Sequence, residues 1–365
     1  MRPLLPMVML LAACGDNLPV DEIEEGPATV DEPGAEEPTA RFLPDICSVR
    51  SWPSVAFADR DVDISVVPTA HGAAIFSVQR SGGPLHGFAI DGRGLLVGKD
   101  EGTVIRDDLA FTAVSAAYID ERLVTAAVSD GSVSIDMISD DFGARANLST
   151  ARGSVVADLP IAHGRASRIA TVGDIDGLTA ISFDQAWATT GTHLVTSTEP
   201  RSMTATRYLD DSIVAWSTDT TCHVQRVAAG VTSNRNFACR NNRIAVDPAA
   251  RAGYMVFERD GVVMISDIRV GAESELANQR VLVSFASSPR IVFDGSRYWV
   301  SYINAREDVV VGYLQADGSL ASMALEGTQP LAEGHELALV NNGVWVFAVD
   351  GAGVGAQRVC LKPIY

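Results

Sequence analysis

The stretch Pro289-Arg-Ile-Val-Phe-Asp294-Gly295-Ser-Arg-Tyr298-Trp-Val-Ser-Tyr-Ile303-Asn-Ala-Arg-Glu-Asp308-Val309-Val-Val-Gly-Tyr-Leu314-Gln-Ala-Asp317-Gly318-Ser-Leu-Ala321 sets the architecture of this chain. Ile291 and Phe293 alternate into an Asp-Gly turn. Residues 298–303 form an aromatic, β-branched run. A short polar turn leads to a second run, 309–314, which ends in another Asp-Gly. β-Branched and aromatic runs bounded by Asp-Gly read as β-strands joined by tight hairpins.

Working outward, looser copies of this unit recur. The strongest run of each copy lies at 73–78, 123–128, 167–172, 212–216, 254–257, 298–302 and 344–347. The spacing averages about 45 residues, which is in the range of propeller blades. Tyr-Trp-Val at 298–300 aligns with Val-Trp-Val at 344–346. Pro68-Thr-Ala-His71-Gly72 aligns, two units on, with Pro160-Ile-Ala-His163-Gly164. A further strand follows each strong run: around Val104 in the first unit, then at 132–138, 178–183, 223–227, 262–268, 309–314 and 354–361. Helical periodicity is nearly absent after Arg41. A single four-stranded sheet cannot bury both faces alone, but sheets stacked around an axis can. The chain therefore resembles an all-β propeller of seven four-stranded blades, occupying residues 42–365. Six or eight blades, or paired β-sandwiches, are the alternatives. It lacks the Gly-His and Trp-Asp pairs of WD repeats and the paired glycines of kelch, so it resembles no named subfamily closely.

The 365 residues are 47% hydrophobic and carry a formal net charge of −18. Such acidity repels phosphate backbones and argues against nucleic-acid binding. No apolar stretch reaches the length of a transmembrane helix. Much of the excess acid is local. Residues 16–40 hold nine Asp and Glu, four Pro and no Lys or Arg, a composition that cannot bury enough apolar surface to fold. Residues 14–41 are read as an acidic, Pro-rich tether.

Ahead of it, Arg2 precedes a mostly apolar run that ends in Leu11-Ala12-Ala13-Cys14. A basic start, an apolar core and small residues at a cut site make residues 1–13 a signal peptide. Leu-Ala-Ala-Cys resembles the lipobox of bacterial lipoproteins. That resemblance implies cleavage before Cys14, acylation of Cys14 and anchoring in the cell envelope. Gly15 rather than Asp after the cysteine implies the outer membrane over the inner, with the face undetermined. Two or three acyl chains hold a protein on a membrane where one does not.

Four cysteines remain: Cys47, Cys222, Cys239 and Cys360. In an exported chain these read as two disulfides, and three pairings exist. Cys222–Cys239 would clip a local hairpin. Cys47–Cys360 would lock an N-terminal strand onto the last blade, as propellers often close their ring. A metal site fits badly, with no C-x-x-C and no nearby His pair.

Chemistry is thinly marked. The six histidines (71, 86, 163, 193, 223 and 335) are scattered, and His71 and His163 read as turn residues. The turns after the strong runs carry Asp130, Asp174, Asp176, Asp219, Asp260, Glu307, Asp308 and Asp350. These turns would surround one channel mouth and form a rim for a ligand or cation. The plainer account is that Asp-Gly is good hairpin chemistry. Gly173-Asp174-Ile-Asp176-Gly177 partly resembles the calcium loop of FG-GAP propellers but lacks one carboxylate, so Asp174 and Asp176 are only a weak Ca2+ candidate. Ser139-Asp-Asp141-Phe-Gly143 resembles the start of a sialidase Asp-box, a structural motif. Trp299 and Trp345 repeat in register and read as core. Trp52 and Trp187 lie outside the strong runs and are candidates for stacking on a sugar or peptide. No motif of nucleophilic or metal-assisted hydrolysis occurs. The expected function is a binding or scaffold module for a protein or glycan. The alternatives are a glycan hydrolase or lyase using rim carboxylates, and a purely structural envelope protein.

Overall fold

Strands as apolar as 72–79 and 211–217, buried at nearly every position, need cover on both faces. The computed structural model supplies it by stacking sheets in a ring. It describes residues 41–365 except 54–61, 99–101, 157–167, 210, 228–231, 272–273, 326–333, 351–352 and 365. The signal, Cys14 and tether expectations lie outside the described residues, as does His163. Arg41–Tyr365 forms one compact unit.

The described residues form seven antiparallel sheets. The blades, in chain order, begin with the inner strands Val62–Pro68, Ala113–Ile119, Val155–Val156, Ser202–Tyr208, Arg240–Asp247, Ala286–Phe293 and His335–Val340. The described residues of each strong run fall in the second strand of its blade. The fold is a seven-bladed β-propeller, and neither six nor eight blades nor sandwiches describe it. In the first blade the third strand is Gly83–Asp91, not the segment around Val104. Val104 lies in Thr103–Phe111, which with Leu96–Val97 takes the fourth place. Two Gly, a Pro and a His break the apolar pattern of Gly83–Asp91 and hide it.

The last blade borrows its outer strand. Arg41–Pro53 pairs antiparallel with Gly353–Ile364, with a bulge between Ile46 and Ser48. Cys47 sits in that bulge and is bonded to Cys360; Cys222 is bonded to Cys239. Seven hydrophobic clusters of described residues occupy the seven blade interfaces. Two of them are Ile75 and Ala73 with Trp345 and Phe347, between the first and last blades, and Trp299 and Val311 with Leu337 and Val346, between the sixth and last. Trp299 and Trp345 are core.

Polar locks supplement the apolar interfaces. Tyr298 Oη donates to the Ala252 carbonyl at 3.1 Å, joining the sixth blade to the fifth. Tyr313 Oη donates to the Phe42 carbonyl at 2.8 Å, joining the sixth to the closing strand. Phe142, in the Asp-box-like turn, is buried edge-on against Phe76 of the first blade, so that turn is structural.

Candidate binding channel

The inner strands run along the axis, and their register builds the channel wall in layers. Ser65, Ser115, Ala205, Arg243, Arg290 and Glu336 pair with Phe76, Ala126, Val214, Val256, Ser301 and Phe347. In all six blades that partner stands three residues before the end of the second strand. The six residues therefore share one level of the ring. All six line a cavity of about 550 Å³.

Charge dominates this cavity. Its described charged lining consists of Arg80, Arg207, Arg243, Arg290, Asp63 and Glu336. Arg290 Nε donates to Glu336 Oε2 at 3.2 Å, across the sixth and last blades. Arg80 meets Asp63 at 3.4 Å. Asp63 Oδ2 also accepts the Val114 N–H at 2.9 Å, and Ser65 Oγ accepts the Ala116 N–H at 3.0 Å, which ties the first blade to the second. Burial pushes the Asp63 carboxyl above its usual range, against the Val114 hydrogen bond and the pull of Arg80, Arg243 and Arg290. Behind the wall, His335 is fully buried and its Nε2 lies 3.1 Å from Ser301 Oγ. Burial, with the field of Arg290 and Arg243, holds its imidazole well below the usual range, hence neutral. Two separate groups thus sense the same pair of arginines.

The sequence-predicted rim lies elsewhere. Asp130, Asp176, Asp219, Asp260 and Glu307 are exposed, and Asp174 and Asp308 partly so. None of these seven lines the channel cavity. Asp219 and Asp260 line a second cavity, beside Phe237 and Arg259. Asp350 ends its strand, and its side chain is outside the described residues. Asp130-Gly131 and Asp260-Gly261 have positive φ at both residues, as a type I′ hairpin requires. Arg152 Nη1 reaches Asp176 at 2.8 Å and its Nε lies 3.8 Å from Asp174. Among the described residues no cluster of three metal-ligating side chains occurs. Trp187 is not a rim residue: it is buried against Phe183, with the Arg168 guanidinium 4.3 Å from its ring. Trp52 stands opposite Val354 in the closing strand. His71 and His193 are exposed, and His223 stacks on Trp216.

The channel arginines escaped the sequence reading. A signal existed: Arg243-Ile244 and Arg290-Ile291 repeat one blade apart, each just before the short apolar run that ends its inner strand.

No protein-family model matches the chain, and no curated protein does. Among solved structures it is similar to the Dos1 propeller, at 8% identity and a TM-score of 0.49, over 85% of this chain and 86% of that one.

Proposed function

We propose that this chain is an exported, lipid-anchored binding module that takes a small molecule or the end of a glycan in its axial channel. The observation that carries the reading is the convergence of polar and charged side chains from six blades on one cavity. Its volume, about 550 Å³, falls within the range of small-ligand sites. Both channel carboxylates are engaged by an arginine, an arrangement suited to holding a ligand. The two disulfides support an oxidising compartment. The Leu-Ala-Ala-Cys14 sequence supports the anchor.

Two outcomes follow. Cys14→Ser is expected to move the protein from the detergent phase to the aqueous phase on phase separation. A variant that stays with detergent removes the anchor from the proposal. Ser115→Trp is expected to fill the channel and abolish binding of any sugar or small acid that the wild type takes up. Asp130→Ala, on an exposed turn, is expected to leave that binding intact. The reverse pattern would move the site to the rim. Equal binding by all three proteins would remove the channel.

A further inference from the structure

We propose that the channel ligand is an oxyanion, a carboxylate or phosphate group received between Arg243 and Arg290; this rests on the channel being the binding site. Among the described residues, four guanidinium groups line the cavity against two carboxylates, an excess of positive charge in a chain whose net charge is −18. Field lines are focused by the low-dielectric walls of a cleft, so the local sign governs what enters. A cation or a bare metal ion meets the wrong sign. A neutral sugar gains nothing from the excess.

The placement is specific. Arg243 and Arg290 stand at the same level on adjacent blades, the fifth and sixth. Arg290 is 8% exposed, and both guanidinium groups act on Asp63 and on His335. Arg290 is held in place by Glu336 on the last blade. A guanidinium's planar fork matches the oxygens of carboxylate and phosphate, so an oxyanion at this level gains from both groups. Across the axis, on the second blade, the same level presents Ser115, a hydroxyl that suits the uncharged polar part of the ligand. Glu336 and Asp63 fill the adjoining arc, on the last and first blades. They bias an anion toward the arginine side and reject one that fills the whole ring.

The test is calorimetry on the full-length exported protein with four probes: galacturonate, citrate, inorganic phosphate and galactose. At least one oxyanion is expected to bind once per chain, with affinity falling as salt is raised. Galacturonate against phosphate separates an acidic sugar from a phosphoryl group as the source. Arg243→Gln is expected to weaken that binding at least about tenfold. Arg243→Lys, which keeps the charge but loses the fork, is expected to fall between. Arg290→Gln also breaks the contact with Glu336, so it is read only if its melting temperature matches the wild type; Arg243 carries the test otherwise. The proposal is overturned if no oxyanion binds, or if binding survives Arg243→Gln unchanged. Galactose binding that Ser115→Trp abolishes, with no oxyanion bound, would sink the ligand class and leave the channel reading standing. Oxyanion binding that Ser115→Trp leaves untouched would sink both.

Discussion

Replacing Cys360 by serine is expected to destabilise the propeller by up to about 5 kcal/mol, more than any other single covalent change in the fold. The bond to Cys47 closes a sequence separation of 313 residues, whereas Cys222–Cys239 closes 17. On chain entropy the short loop is worth ~3 kcal/mol, so the order of the two losses is itself a prediction. The structural reason is ring closure. Arg41–Pro53 is the outer strand of a blade whose other strands come from the opposite end of the chain. Peeling it away also exposes the seam between the last blade and the sixth, where Tyr313 reaches Phe42. Denaturant unfolding of Cys360→Ser and of Cys222→Ser would measure both. A smaller loss for Cys360→Ser than for Cys222→Ser would mean that the closing strand is held by its backbone pairing alone.

The second large effect is expected at Asp136, in the third strand of the second blade. Its carboxylate is fully buried and meets Arg106 at 3.0 Å and Arg145 at 3.3 Å. Asn147 Nδ2 donates to it at 3.0 Å, and Ser134 Oγ at 3.1 Å. Arg106 belongs to the outer strand of the first blade and is itself buried. Asp136→Ala leaves Arg106 with only the solvent-facing Asp108, at 2.8 Å, as its counter-charge, with an expected loss of about 3 kcal/mol. Replacing both partners, Asp136→Leu with Arg106→Met, is expected to recover most of it, because two desolvated charges are then absent together. Urea unfolding of the single and double variants checks this. A single-variant loss below about 1 kcal/mol would place the pair among ordinary surface ion pairs.

The parts of this fold that were legible in the sequence are those buried on both faces. The second strands, such as Arg122–Ser129 and Asp211–Ser217, are nearly continuous apolar runs, and their even spacing is what a ring of equal blades demands. The outer strands left little trace. Thr189–Thr196 and Arg145–Arg152 face water along most of their length, so no alternation marks them. Trp187 misled because a turn tryptophan beside Asp184 looks exposed in sequence, while in space Arg168 from the preceding hairpin covers it. The channel was illegible for a different reason. Asp63, Arg243, Arg290 and Glu336 stand in four different inner strands, and no motif links them in sequence. Only closure of the ring brings residues from the first, fifth, sixth and last blades into one cavity. The acidic turns, by contrast, stood out in composition because Asp-Gly serves hairpins, and their carboxylates face solvent.

An anion held on the axis of the propeller is the central feature of the proposed function. A crystal structure of the full-length protein grown in citrate, inspected between Arg243 and Arg290, addresses it without mutation. A carboxylate bound by both guanidinium groups, with Ser115 facing it, is the outcome expected. A channel that stays empty in citrate, galacturonate and phosphate alike, or one in which Asp63 and Glu336 instead hold a cation, would contradict it.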